Sequence, residues 1–226
     1  MIPILYQDKY LLVCEKPIGV LSAPESGRRK NMPDMLKKQT GSYIVDVIHR
    51  LDQPVGGVMV YSRSGRATPG LYRQFAGHSI IKEYLAVVCG IPSPAGGEWY
   101  DLLLKDAVHC RSRVVPEGTR GAKDARLTYR VLQTALFNGQ EYSLVKIRLH
   151  TGRTHQIRVQ FSSRRHPLLG DEKYGTPDSQ AKAPALWSYR LCFRHPVTGK
   201  TLDTVCPPPH GFPWNGFDPT LFSTAL

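Results

Sequence analysis

Apolar and polar positions alternate most regularly over residues 144–150, where Val145, Ile147 and Leu149 are separated by Lys146, Arg148 and His150. A period of two puts the apolar set on one face of a strand and the basic set on the other. Thr151-Gly152 ends that strand. Thr154 is then placed to cap a helix whose buried face carries Ile157 and Phe161, four apart. Residues 4–14 hold two short apolar stretches around Asp8-Lys9 and predict a β-hairpin, broken afterwards by Pro17 and Gly19. Residues 56–62 predict a buried strand. A short helix is expected over 67–78 with Leu71, Phe75 and Tyr72 turned inward, and a strand over 79–88. Residues 91–97, rich in Pro and Gly, predict a turn-rich loop. Two more strands are expected at 185–193 and 201–205, joined by a turn over 195–200, with an irregular, aromatic-rich tail from Pro207. Residues 22–42 are polar and read as a mobile basic loop. Strands outnumber helices and follow one another through short turns. The expected class is therefore α+β with a largely antiparallel sheet, in one domain over 1–226.

Charge sharpens this picture. The 226 residues include 30 Lys and Arg against 18 Asp and Glu, a formal charge of +12 with a pI near 9.6. A surface of that sign attracts polyanions, nucleic acid first among them. Basic residues cluster at Arg28-Arg29-Lys30 and again at Arg111, Arg113, Arg120, Lys123, Arg126 and Arg130. The first group serves equally well as a solvated surface loop or as a contact with a partner. The five cysteines form no Cys-x-x-Cys pair, and their odd number does not close a disulfide set. With no signal peptide and no long apolar run, the expectation is a monomer in the reducing cytoplasm, away from membranes.

Few groups in this chain can carry chemistry. His150 and His155 lack the spacing of a zinc helix, and neither a nucleotide-binding glycine loop nor a serine-hydrolase elbow is present. No metal or other cofactor is expected. Asp52 follows His49-Arg50-Leu51 at the mouth of an apolar stretch and can serve as a nucleophile at a sugar carbon or as an acid–base group. A turn-forming aspartate before Pro54 is an equal reading of the same spacing. Arg153, between a glycine and the helix start, is the candidate cation, though a phosphate-facing surface arginine fits the same position. Tyr84 can place its ring under a planar base, but a tyrosine in a strand is more often a sheet-face residue.

Taken in series, His49-Arg50-Leu51-Asp52 with Gly57, Lys82-Glu83-Tyr84-Leu85-Ala86, and Thr151-Gly152-Arg153-Thr154-His155-Gln156-Ile157-Arg158 resemble the RluA family of pseudouridine synthases. Glu15-Lys16-Pro17-Ile18-Gly19, His166-Pro167-Leu168-Leu169-Gly170-Asp171, Tyr174-Gly175 and the run from Phe193 to Gly199 are similar too, so the resemblance spans about residues 4–206. It implies a bent, mainly antiparallel sheet with flanking helices and a central catalytic cleft. The implied activity is isomerisation of uridine to pseudouridine in ribosomal or transfer RNA. Asp52 would attack C1′ or assist departure of uracil. Tyr84 would stack on the base, with proton removal at C2′ open to it, and Arg153 would pair with Asp52. Arg50 would fill the space left by a flipped nucleotide. RNA contact is expected at Arg50, His49, Lys16, Arg158, Arg164 and Arg165. Val55-Gly56-Gly57 departs from the Thr-Ser-Gly of many members, and the chain opens on the catalytic-domain hairpin with no S4-type domain expected ahead of it. Selection of the RNA would then fall to loops such as 22–42 and 105–126. A catalytically silent RNA-binding protein on the same scaffold, and an N-glycosidase that releases uracil, are the competing readings.

Overall fold

The structure is a computed structural model that describes residues 1–223 except Arg28, Thr176, Pro177, Ser179 and Lys182. Arg28 of the expected basic run and the last three residues of the tail lie outside the described residues. The chain divides into two compact units, Met1–Lys82 with Trp187–Pro207, and Glu83–Leu186 with Pro208–Leu226. Two of the three divisions, Lys82/Glu83 and Leu186/Trp187, fall inside strands, and the third, Pro207/Pro208, falls in a Pro-rich stretch.

In the first unit, β1 (Ile4–Gln7) and β2 (Leu11–Lys16) form the expected hairpin. The Asp8 carboxylate holds its turn by accepting from the Tyr10 and Leu11 amides at 2.7 and 2.8 Å. Strand β2 pairs antiparallel with β4 (Gly56–Ser62), and the two-residue β3 (Asp46–Val47) lies on β4. Every residue of β4 is buried, as its unbroken apolar run predicts. β4 pairs parallel with β10 (Leu186–Arg194), which in turn pairs antiparallel with β11 (Thr201–Val205). Gly57 makes the parallel contact possible. Its φ is +114°, and a Cβ there would lie 2.2 Å from the Ser188 carbonyl oxygen.

The segment 22–42 is a loop only in part. Met32–Thr40 forms helix α1, started by Asn31, whose side chain accepts from the Asp34 amide, and ended by Gly41 in the left-handed region. Pro33 sits in the first turn, where its missing N–H removes no helical bond, and Met32 and Leu36 are buried. Helix α2 (Thr68–Ala76) buries Leu71 as expected, but Tyr72 turns outward and donates its hydroxyl to the Val47 carbonyl at 2.9 Å. That bond satisfies the phenol at the surface, so burial gains the side chain nothing.

In the second unit, β5 (Ile81–Cys89), β9 (Gln140–Leu149), β8 (Lys123–Phe137), β6 (Gly96–Asp106) and β7 (Arg111–Val115) pair antiparallel in that order. The basic stretch expected as a loop over 105–126 is therefore largely strand. Arg111 and Arg113 alternate outward with buried Ser112 between them, and the charges mask this period of two. Helix α3 (Gln156–Ser163) buries Ile157 and Phe161 against the sheet, with the Phe161 ring 4.6 Å from Trp99 and 5.8 Å from Tyr129. Thr154 is not its cap. The cap position is His155 in the left-handed region (φ 54°), and the Thr154 carbonyl instead accepts from the Ser112 hydroxyl. The tail forms two 3₁₀ turns, Trp214–Gly216 and Pro219–Phe222, and packs Phe212 and Phe217 on Phe137. Three helices and mainly antiparallel strands among the described residues make this an α+β fold with a mixed sheet.

Candidate functional site

Asp52 sits half-buried in a tight turn in the first unit, its carbonyl accepting from the Val55 amide at 3.0 Å. The turn is clamped from beneath. Lys16 leaves the end of β2 fully buried, and its ammonium donates to the carbonyls of Pro17 (3.0 Å), Gln53 (3.1 Å) and Val55 (2.7 Å). Burial pulls the Lys16 pKa down to about 8, and the negative charge of Asp52 works against that fall. Ser22 clips the other side of the turn. Its hydroxyl donates to the Leu51 carbonyl at 2.7 Å and accepts from the Leu51 amide at 3.0 Å. Gln53 adds a third tie, pairing with Gly19 through both its backbone carbonyl and its side-chain amide. Three neighbours thus fix the backbone on which the carboxylate stands.

The basic pair before Asp52 splits between interior and surface. The His49 ring stacks on Phe75 (4.6 Å, 17° between planes), and its Nε2 accepts from the Val60 amide at 3.1 Å. Burial, assisted by the positive charge of Lys82, pulls its pKa to about 3, so the ring is neutral at ordinary pH. Arg50 is the exposed member, with 68% of its side chain open and a 3.4 Å contact to Glu25.

Tyr84 and Arg153 belong to the second unit. Tyr84 is buried in β5, opposite Ile147 of β9, which in turn lies opposite Tyr129 of β8. Arg153 follows β9. Its Nε donates to the Asp124 carbonyl at 2.7 Å, and its amide donates to Gln156 Oε1 at 3.0 Å. Buried Gln156 organises this loop, accepting also from the Thr151 hydroxyl (2.8 Å) and donating to the Arg126 carbonyl (3.1 Å). The Tyr174 hydroxyl accepts from the Ser112 amide at 2.7 Å and lies 2.8 Å from His155 Nδ1.

Of the six positions expected at an RNA surface, Lys16 and Arg158 are buried and His49 is half-buried. Lys16 and His49 support the Asp52 turn from inside the first unit. Arg158 is buried in a two-pronged ion pair with Asp171 (both contacts 2.7 Å), and its guanidinium lies 5.2 Å from the Tyr174 ring centre. For Lys16 and Arg158 this burial corrects the expectation of a surface contact. Each charge or ring is committed to a partner distant in sequence. Arg164 is intermediate, paired with Asp101 at 2.9 Å and lying 4.3 Å over the Trp99 ring. Arg165 is exposed in the left-handed region. Sequence reasoning missed Ser22 and Gln53, and it named Gln156 and Tyr174 only as motif members without a role. Gln156 lay inside a quoted motif, but its side chain reaches back to the preceding loop, which spacing alone does not show. Among the described residues no group of three or more His, Cys, Asp or Glu is arranged to hold a metal. No helix among them is long and apolar enough to cross a membrane.

Comparison with known proteins adds an independent finding. The profile of the family described as RNA pseudouridylate synthase matches residues 10–163. The dual-specificity RNA pseudouridine synthase RluA of Escherichia coli K12 is 36% identical over 208 residues, covering 90% of this chain and 92% of that protein. The ribosomal large subunit pseudouridine synthase D of Zymomonas mobilis is 35% identical over 218 residues, covering 88% of this chain and 67% of that protein. Among solved structures, human RNA pseudouridylate synthase domain containing 4 aligns with a TM-score of 0.73 at 25% identity. It covers 92% of this chain and 89% of its own.

Proposed function

Because this chain belongs to the RNA pseudouridylate synthase family, we propose that Asp52 is the carboxylate through which it isomerises uridine to pseudouridine in RNA. The chain is an RNA pseudouridine synthase, an isomerase. The reaction breaks the N1–C1′ bond and forms a C5–C1′ bond. The hydrogen on C5 leaves as a proton and N1 acquires one, so no electrons are exchanged and no redox partner is required.

The observation that carries the assignment to Asp52 is its mounting. A nucleophile must be held in a near-attack geometry, and the Asp52 turn is fixed by the buried Lys16 ammonium, the Ser22 clip and Gln53. Arg50 stands two residues before it with its side chain open. It is suited to occupy the gap left when a uridine is drawn out of its stack, a step that costs a few kcal/mol. In the second unit, Tyr84 supplies a ring for the detached base and Arg153 a cation anchored through its Nε. Exposed Arg165 and partly exposed Arg164 add backbone contacts. The substrate is a structured RNA, ribosomal or transfer, met in the cytoplasm by a monomer. This reading draws support from the formal charge of +12 and from thiols that show no disulfide pattern.

The test is release of tritium from RNA labelled at uridine C5, because formation of the new glycosidic bond must expel that hydrogen. The native chain should release tritium and Asp52→Asn should not, while RNA binding survives. An Asp52→Asn protein that still releases tritium would remove the carboxylate from the mechanism.

A further inference from the structure

The first unit carries an open surface cavity, a shallow depression of about 440 Å³, where the end of α2 meets the turn between β10 and β11. It is lined by Arg73, Gln74, Ser79, Arg194 and Pro196, among others, and no carboxylate appears among its lining residues. The walls are held rigidly. Gln74 grips the backbone of Arg194 from both sides, its Nε2 donating to the carbonyl at 2.7 Å and its Oε1 accepting from the amide at 2.9 Å. Gly70 lets the helix approach the turn closely, for a Cβ there would lie 2.6 Å from Pro196 Cβ. The turn itself is pinned by buried His195, whose Nδ1 accepts from the Val197 and Thr198 amides while Nε2 donates to Asp8 at 2.9 Å. That arrangement fixes the imidazole in one tautomer.

What such a cavity recognises follows from its lining. Two guanidinium groups, with no carboxylate among the described lining residues, suit a tetrahedral oxyanion, which offers several acceptors to several N–H donors. The Arg194 Nε contact to Gly199 O, at 3.3 Å, steadies one of them without using its charge. Neither arginine takes part in the Asp52 turn or in the motifs assigned to chemistry. We propose that this cavity is a phosphate-binding subsite that grips the backbone of the RNA substrate, with Arg73 and Arg194 as its donors. The proposal rests on the reading that RNA is the substrate. The same α2 that supplies Arg73 and Gln74 also presents Phe75, on which His49 is stacked. A nucleotide held here would therefore be registered against the helix that backs the Asp52 segment.

The experiment is the salt dependence of binding of a fluorescein-labelled stem-loop RNA, read by anisotropy on the full chain. Each phosphate contact contributes about 0.7–0.9 to the slope of log K against log salt concentration. The Arg73→Ala/Arg194→Ala protein should bind more weakly, with a slope shallower by about that amount, and Arg73→Lys/Arg194→Lys should recover the slope. The comparison protein is Lys9→Ala/Arg66→Ala, which removes two exposed cations of the same unit that do not line the cavity. An equal loss of slope in both alanine proteins would reduce the effect to net charge and overturn the proposal. So would an unchanged slope in Arg73→Ala/Arg194→Ala, including the case in which inorganic phosphate alone perturbs the arginine Nε resonances of the native chain. Binding is read without turnover. Failure of every RNA to release tritium would thus count against the Asp52 reading and leave this result standing.

Discussion

Replacing Lys16 by Met should make the stability of the protein respond differently to alkaline pH. The native ammonium is fully buried and gives its three hydrogen bonds to the carbonyls of Pro17, Gln53 and Val55. Its folded pKa is pulled to about 8, against an ordinary 10.5, so between these values the unfolded chain binds a proton that the folded chain does not. Stability rises with pH wherever the unfolded state binds more protons. At about 1.4 kcal/mol per tenfold change in proton concentration, the interval from about 8 to 10.5 amounts to about 3 kcal/mol. The methionine keeps the length of the side chain but neither titrates nor donates. Near neutral pH it escapes the desolvation of the ammonium but leaves three carbonyls without their donor, for a net loss of about 2–4 kcal/mol. Urea unfolding of both proteins at several pH values tests this, because the many other lysines and tyrosines cancel in the difference. The native advantage should widen by about 3 kcal/mol from about pH 8 to about pH 10.5. A difference that stays flat across that window would show that the ammonium is not held in a desolvated clamp. Turnover should fall along with stability, since the same three bonds fix the backbone of Asp52.

The His49→Phe protein should lose acid sensitivity. The folded pKa of His49, about 3, lies below its ordinary 6.5, so native stability falls as pH drops between those values, and the phenylalanine chain should be spared that loss in pH-dependent urea melts. At neutral pH the same change leaves the Val60 N–H without its acceptor, for a cost of about 1–3 kcal/mol. Asp171→Asn should cost about 3–5 kcal/mol in urea unfolding, because it strands the buried Arg158 guanidinium; a cost under about 1 kcal/mol would mean that water reaches the pair. Gly57→Ala should lower stability by about 3 kcal/mol or more, since it forces a Cβ against the Ser188 carbonyl at a φ of +114°. A thermal midpoint within a degree or two of the native chain would refute that packing argument.

Local periodicity made most of the scaffold legible before any coordinates. The β1–β2 hairpin, buried β4, the alternation in β9 and the Ile157/Phe161 face of α3 each depend on residues within a few positions of one another. Helix α1 was hidden for a different reason. Only Met32, Pro33 and Leu36 are buried in it, so the polar composition of 22–42 outweighed the Asn31 cap, Pro33 and Gly41 that mark its ends. Two of the three unit boundaries left no mark either, because they fall within β5 and β10; only the third, at Pro207/Pro208, coincides with a Pro-rich stretch. For Thr154 the local rule was sound, but the long-range bond from Ser112 and the left-handed His155 moved the cap by one residue.

The site shows the same division more sharply. Motif order placed Asp52, Arg50 and Arg153 at turns and loop ends. It could not say which charges face outward, because that depends on partners remote in the chain. Lys16 is buried by a carbonyl 39 residues away, and Arg158 by a carboxylate 13 residues away. The formal charge of +12 therefore overstates the cationic surface in one respect and misplaces it in another. A fully paired interior guanidinium contributes little to steering RNA, whereas Arg50, with 68% of its side chain open beside Glu25, and the exposed arginines Arg73 and Arg194 can contribute more. The electrostatic work divides accordingly. On the proposed function, buried Lys16 shapes the backbone that carries Asp52, and a smaller exposed set of cations is left to hold the polyanion.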